Sequence, residues 1–168
     1  MKVLEFCFFR HGVAVEKDDP GVTSDPARPL TDDGARKTRA AAAGLGRLDA
    51  EYKKILTSPW LRAKQTADIL AEVLGLPHPE ELPELAGDRT PADLVDALAH
   101  QHGRRIVLVG HEPLLSATVV HVLGGDWILD LKKSGACAIE VDAMPPRKHA
   151  ALLWHLTPRQ LRWMGKGP

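Results

Sequence analysis

Short apolar runs alternate with helical segments along the chain, and this alternation limits the folds open to it. Residues 3–9, 54–57 and 105–109 are apolar runs of strand length, and a segment with helical character follows each of them. Strands that alternate with helices predict a three-layer α/β/α domain with a mostly parallel central sheet. Residues 136–141 and 150–156 are strand patterns with no helix between them, so they predict an antiparallel edge.

Local start signals place the helices between these strands. Thr31 is a predicted N-cap for an alanine-rich helix, and Ser58 followed by Pro59 predicts the start of the next helix. We find no linker long enough to separate a second domain. We therefore expect one domain over residues 1–160 and a C-terminal tail over residues 161–168.

The charge balance and the cysteine content argue against several classes of protein. Lysine and arginine together number 22, as do aspartate and glutamate, so the basic excess typical of nucleic-acid or membrane-surface binding is missing. Cys7 lies in an apolar run, and two cysteines make no disulfide framework, which favours a reducing cytoplasm. The N-terminal apolar run is short and contains Glu5, so it is interpreted as a strand rather than a signal peptide.

Three short segments with reactive side chains stand where predicted strands end. Ligands of open α/β sheets bind beyond the carboxyl ends of the strands, so parallel and adjacent strands would bring these segments together. The segments are Arg10-His11-Gly12, Ser58-Pro59-Trp60-Leu61-Arg62 and Gly110-His111-Glu112-Pro113.

The side chains of these segments suit the transfer of a phosphoryl group. Arg10 and Arg62 carry planar, permanently charged groups that match phosphate oxygens. The imidazole of His11 is a competent nucleophile near neutral pH, and His111 opposite it can donate to the transferring group. Since arginines can supply the charge neutralisation that Mg²⁺ supplies elsewhere, we expect neither a metal nor a cofactor.

The same segments resemble those of the histidine phosphatase superfamily, which has a phosphoglycerate-mutase-like fold. The resemblance rests on Phe-Phe-Arg-His-Gly, on the Ser-Pro-Trp-Leu-Arg segment with its continuation to Thr66, and on Val-Gly-His-Glu-Pro, and it covers most of the chain. The small size, the Arg28-Pro-Leu-Thr31 segment and the lack of a long insertion between Leu74 and Pro91 are similar to the SixA-type phosphohistidine phosphatase branch.

The resemblance implies a role for each matching residue. His11 would carry the phosphoryl group during turnover, while Arg10 and Arg62 would hold its oxygens. His111 would complete the pocket and stabilise the transferring group, and Arg28 would lie near the phosphate.

Two functions within the pocket are less closely defined by the resemblance. Ser58 would orient the pocket through its hydroxyl or its backbone. The proton donor is open, because larger family members present a carboxylic acid from an insertion that this chain lacks. Asp18 and Glu84 are the chief candidates for this general acid, and the full set is Asp18, Asp19, Asp25, Glu84 and Glu112.

The leading interpretation is a phosphatase acting on phosphohistidine in a protein. A small-molecule or phosphoserine phosphomonoesterase stays open, because specificity would lie in loops such as residues 17–29. The alternative of a different class is a non-catalytic phosphate- or phosphoprotein-binding module on the same fold. For Trp60, lining the mouth of the pocket and packing in the core are both open, whereas Lys132 and Lys133 are interpreted as lying outside the pocket.

Overall fold

A six-stranded mixed sheet forms the middle layer of the computed structural model, which describes residues 3–48 and 50–167. From one edge to the other, its order is β3-β2-β4-β1-β5-β6. Strands β1 to β4 run parallel to one another, and β5 runs antiparallel to both β1 and β6, so the predicted sheet with an antiparallel edge is confirmed. The strands are β1 Leu4–Arg10, β2 Lys54–Thr57, β3 Glu80–Glu81, β4 Arg105–Gly110, β5 Ala136–Val141 and β6 Ala150–Leu156.

The register of the central strands determines where the reactive segments lie. Arg10 at the end of β1 pairs with Gly110 at the end of β4, and Thr57 at the end of β2 pairs with Val109. The chain therefore leaves these adjacent strands at one edge of the sheet. Ligands of α/β sheets bind at such an edge.

In the described part of the chain, five α-helices cover the two faces of the sheet. Helices α1, α2 and α5 share one buried cluster with Cys7 and Phe9 of β1, whereas α3 and α4 share the opposite cluster with Phe6 and Phe8. Successive side chains of a strand point to opposite faces, so both faces are apolar and the predicted three-layer α/β/α architecture is confirmed. The helices are α1 Asp32–Leu45, α2 Leu61–Leu74, α3 Pro91–Ala99, α4 Leu114–Leu123 and α5 Pro158–Gly165.

The start of α2 differs from the sequence-based prediction. The helix begins at Leu61 with Trp60 in the N-cap position, so Ser58 is not its N-cap and Pro59 is not its first residue. The Ser58 hydroxyl accepts a hydrogen bond from Trp60 N–H and also contacts a histidine of another strand end. The Ser58 hydroxyl therefore makes a tertiary contact with this histidine instead of capping the helix.

The predicted C-terminal tail is wrong for residues 161–165, which belong to helix α5. Thr157 and Gln160 form a capping box at the start of this helix. Leu161 is fully buried, and Gly44 of α1 approaches it so closely that a Cβ at position 44 would overlap the Leu161 backbone. Burial of Leu161 against α1 therefore keeps the segment folded, while Trp163 points outward with 75% of its surface exposed.

Among residues 3–48 and 50–167, none of the helices combines the length and the apolar character needed to cross a bilayer.

Candidate active site

The reactive segments surround one cavity of about 330 Å³ at the edge where β1, β2 and β4 end. The two histidines and two arginines that are predicted to lie at strand ends therefore come together here. Trp60 is among the lining residues, so of the two alternatives, lining the pocket or packing in the core, the first is correct. The lining residues are Arg10, His11, Asp25, Arg28, Trp60, Arg62, Gly87, His111, Glu112 and Lys133.

His11 follows β1 directly and is almost completely buried. Its Nδ1–H donates to the Gly12 carbonyl at 2.7 Å, which leaves the Nε2 lone pair free to accept a bond from Arg62 Nε–H at 3.2 Å. Burial and the charges of Arg62 and Arg10 lower the pKa of His11 to about 3. The hydrogen bond to Gly12 acts in the opposite direction and raises the pKa, but it is outweighed. The ring is therefore neutral near neutral pH and carries its lone pair on Nε2.

The glycine after His11 is required by a close approach of two elements. A Cβ at Gly12 would overlap Thr38 Oγ1 of α1, and Gly12 N–H donates to Thr66 Oγ1 of α2 at 3.0 Å. Helices α1 and α2 therefore hold the backbone on which the His11 ring depends.

His111 faces His11 from the end of β4, with the two ring centroids 5.0 Å apart. Its Nε2 lies 2.7 Å from Ser58 Oγ, which already accepts from Trp60 N–H, so the hydroxyl proton can be donated to Nε2. The ring proton is then on Nδ1, a buried atom that has no hydrogen-bond partner within the described part of the chain. Burial, followed by the proximity of His11, lowers the pKa of His111 to about 2.

Arg62 lies in the first turn of α2 and is 95% buried, with 5% of its surface exposed. Its Nη1 donates to the Asp25 carbonyl at 2.7 Å and its Nη2 to Asp25 Oδ2 at 3.2 Å. Its Cζ lies 4.9 Å from the centroid of the Trp60 ring, a cation–π contact. These contacts hold a permanent positive charge beside the His11 lone pair.

Asp25 joins two guanidinium groups across the mouth of the cavity. Arg28 Nη1 donates to Asp25 Oδ1 at 2.8 Å, while Arg28 Nε donates to the Val15 carbonyl at 2.7 Å. Burial raises the pKa of Asp25, but the hydrogen bond from Arg28 and the charge of Arg62 outweigh it and hold the pKa below its usual value. Asp25 is therefore ionised near neutral pH and is a poor proton donor.

Arg10 and Lys133 complete the positive lining of the cavity. Arg10 Nη1 donates to the Leu131 carbonyl at 2.8 Å, and within the described residues its buried Nε has no partner. The placement of Lys133 in the lining corrects the expectation that it lies outside the pocket, whereas Lys132 pairs with Asp130 and is mostly exposed.

The profile of the histidine phosphatase superfamily, branch 1, matches residues 6–90 of this sequence. The chain belongs to this superfamily. An uncharacterised protein of Picosynechococcus sp. strain PCC 7002 is 35% identical over 151 residues, which cover 87% of this chain and 90% of that protein. The phosphohistidine phosphatase SixA of Escherichia coli K12 is 28% identical over 163 residues, or 95% and 97% of the two chains.

A solved structure supports the same family assignment. The protein histidine phosphatase SixA complexed with tungstate superimposes with a TM-score of 0.82 at 26% identity, covering 94% of this chain and 99% of that one. The resemblance to the SixA-type branch and the phosphoglycerate-mutase-like fold are therefore confirmed.

The two chief candidates for the general acid do not line the cavity. Asp18 is exposed in the loop before α1. Glu84 lies in the 3-10 turn Pro83–Leu85, whose last residue is fully buried, and it lines a separate depression beside α3. The carboxylates that the histidine phosphatase cavity contains are those of Asp25 and Glu112, and Glu112 Oε1 accepts from Ser116 N–H at 3.1 Å.

One signal in the sequence could have located Lys133. Lys133 stands just before β5, which runs antiparallel to β1, and a strand begins at the edge of the sheet where its antiparallel neighbour ends. The start of β5 therefore meets the end of β1, which carries Arg10 and His11. For Asp25 the sequence held no such signal, because it lies in a loop without hydrophobic periodicity.

Proposed function

We propose that this histidine phosphatase hydrolyses phosphohistidine in proteins through a covalent phosphoryl intermediate on His11. The observation that carries the proposal is the ring state of His11, whose Nδ1–H donates to the Gly12 carbonyl at 2.7 Å. Nε2 is therefore unprotonated, and its lone pair accepts a hydrogen bond from Arg62 Nε–H at 3.2 Å. A neutral imidazole beside a fixed positive charge suits nucleophilic attack on a phosphoryl group.

Two displacements account for the hydrolysis. In the first, the His11 Nε2 lone pair bonds to phosphorus while the bond to the leaving imidazole breaks, and the leaving nitrogen keeps the electron pair and takes a proton from solvent. In the second, a water oxygen attacks phosphorus and gives up a proton to solvent, the electron pair of the breaking bond returns to His11 Nε2, and inorganic phosphate leaves. Both displacements depend on positioning and charge neutralisation more than on further covalent chemistry.

The remaining lining residues supply that positioning and charge in this proposal. Arg10 and Arg62 bind the phosphoryl oxygens, with Arg28 at the rim. His111 donates from Nδ1 to the transferring group, and Ser58 orients the ring through its 2.7 Å contact with Nε2. The buried Arg10 Nε and His111 Nδ1 both lack partners within the described residues, which suits donors that await an oxyanion.

A phosphohistidine substrate fits the acid–base groups of the cavity better than an alkyl ester does. Asp25 is held ionised by Arg28 and Arg62, so it is a poor proton donor. A protonated imidazole leaves more easily than an alkoxide and demands less from a dedicated acid. The relative named phosphohistidine phosphatase SixA, similar along 95% of this chain, supports the same choice. A cytoplasmic location for such a protein substrate stays a prediction.

Trapping the intermediate tests the nucleophile. We expect ³²P from labelled phosphoimidazole to appear on His11 as acid-labile, base-stable phosphate, most strongly in His111→Ala, where breakdown should be slower. His11→Ala should fold normally, by circular dichroism, and take up no label. Label on a serine or aspartate would contradict the assignment, and turnover without phosphoprotein would remove the covalent step.

Substrate choice is tested by comparing kcat/KM for a phosphohistidine peptide and for p-nitrophenyl phosphate, with EDTA present. We expect the peptide to be the better substrate and EDTA to have no effect, since arginines replace a metal in this proposal. A preference for the ester would favour the phosphomonoesterase alternative. Phosphate binding without turnover of either compound would favour a non-catalytic binding module.

A further inference from the structure

The turn Leu131–Gly135 is attached directly to the backbone of the nucleophile segment. Ser134 N–H donates to the carbonyls of Arg10 at 3.1 Å and His11 at 3.3 Å, while Arg10 N–H donates to the Gly135 carbonyl at 3.0 Å. The Arg10 side chain adds a bond to the Leu131 carbonyl at 2.8 Å. The position of this turn is therefore linked to the position of His11.

Ser134 gives this turn an unusual backbone conformation. Its φ is 60°, in the left-handed region that residues with a side chain seldom adopt. Its side chain is buried, and its Oγ lies 2.8 Å from Thr38 Oγ1 of α1. The hydrogen bonds around Ser134 compensate for the unfavourable φ, so the residue before it has a fixed backbone at the edge of the cavity.

Two consecutive lysines in this turn have different surroundings. Lys132 forms an ion pair with Asp130, and 63% of its side chain is exposed. Lys133 is half-buried and lines the cavity, and within residues 3–48 and 50–167 its amino group has neither a hydrogen bond nor an ion pair. Its charge also contributes to the low pKa of His11.

The charges in the cavity divide into paired and unpaired groups. Arg28 and Arg62 both donate to the carboxylate of Asp25, whereas Arg10 and Lys133 donate to no carboxylate within the described part of the chain. A phosphoryl group near neutral pH carries roughly two negative charges. Two cations without a carboxylate partner match that charge.

We propose that Lys133 is a further phosphate-binding residue, whose ammonium group binds a phosphoryl oxygen alongside Arg10. The inference rests on the proposed function for the identity of the anion, and it assigns to this lysine a direct contact with substrate. Lys132 serves as the matched control, because it has the same charge one residue away and does not line the cavity.

Binding of inorganic phosphate and orthovanadate, measured by titration calorimetry at fixed ionic strength, tests the contact without requiring turnover. We expect Lys133→Ala and Lys133→Gln to weaken binding about 10- to 100-fold, the range for losing a charged hydrogen bond. Lys133→Arg should stay within a few-fold of the parent protein, and Lys132→Ala should leave binding unchanged. Equal affinities for Lys133→Ala and Lys132→Ala would overturn the proposal.

A merely structural role for Lys133 would give a different pattern. It would lower the thermal midpoint of both neutral variants and leave the Arg variant without rescue of phosphate binding. Hydrolysis of phosphoimidazole is measured separately on the same proteins. A parent protein that binds phosphate but hydrolyses neither phosphoimidazole nor a phosphohistidine peptide would refute the proposed function, while the calorimetry would still decide the role of Lys133.

Discussion

Two walls of the cavity are built in different ways. The strand wall consists of residues at the ends of β1, β2 and β4 or within five residues of those ends, and the loop wall consists of residues farther from them in the chain. The strand wall includes Arg10, His11, Arg62 and His111, with Ser58 in contact with His111, and the loop wall includes Asp25, Arg28 and Lys133.

The walls differ in what positions their side chains. Strand register places His11 and His111 at one edge, where both are buried and carry low pKa values. In the loop wall, Asp25 and Arg28 are positioned by ion pairs instead, since Asp25 bonds to both Arg28 and Arg62 and keeps 29% of its side chain exposed. We therefore expect the strand wall to control the chemical step and the loop wall to adjust anion binding and the position of Arg62.

Removal of Arg62 should give the largest effect among the binding residues. Arg62→Ala deletes the charge beside His11 Nε2, and we expect kcat/KM for phosphoimidazole to fall about 10²- to 10³-fold. Arg36→Ala is the matched control, because Arg36 forms an exposed ion pair with Asp33 on α1. Steady-state kinetics on both variants gives the comparison, and losses of similar size would mean that the cavity is not the site of reaction.

A smaller effect is expected from the loop wall. Asp25→Asn keeps the shape of the side chain but removes the charge that holds Arg28 and Arg62, so kcat should fall about 10-fold. Phosphate affinity should not weaken, because the cavity becomes more positive. Asp33→Asn, an exposed carboxylate on α1, should have no effect on either quantity.

The loss of activity in Asp25→Asn, measured with two substrates, shows whether Asp25 positions the arginines or donates a proton to the leaving group. If Asp25 only positions the arginines, the loss should be similar for phosphoimidazole and for an alkyl phosphate. A much larger loss with the alkyl ester would identify Asp25 as the general acid, so that Asp25 would take part directly in the chemical step.

The difference between the walls also explains what the sequence could predict. Apolar strand patterns indicate where β1, β2 and β4 end, and topology then places His11, Arg62 and His111 together without knowledge of any side-chain contact. The prediction that Ser58 caps α2 is wrong, because the hydroxyl bonds to His111, a partner 53 residues away. A local pattern carries no information about such a partner.

The position of Asp25 in the loop wall could not be predicted from the sequence, for the same physical reason. Asp18 and Asp25 lie in one irregular loop, and the one that enters the cavity does so because Arg62, 37 residues later, attracts it. The helical character of residues 161–165 was more accessible, because the Thr157–Gln160 capping box stands in the sequence. Its stability, however, depends on burial of Leu161 against α1.

The smallest effect should appear in the pH dependence of stability. His11 and His111 have folded-state pKa values of about 3 and 2, below that of an unfolded histidine, near 6.5. As the pH falls through that value the unfolded chain binds protons that the folded protein excludes, so stability decreases from about pH 6.5 downward. Asp25 also has a lowered pKa, but its contribution is lost only below about pH 4, where an unfolded aspartate protonates.

The two walls can therefore be separated by urea unfolding at about pH 6.5 and 5. The parent protein should lose on the order of 1 kcal/mol per buried histidine over this interval. His11→Gln and His111→Gln should each reduce that loss, because the unfolded state has one fewer proton to gain, whereas Asp25→Asn should leave it unchanged. An equal reduction in Asp25→Asn would mean that the loop wall also titrates in this range, and the contrast between the walls would then fail.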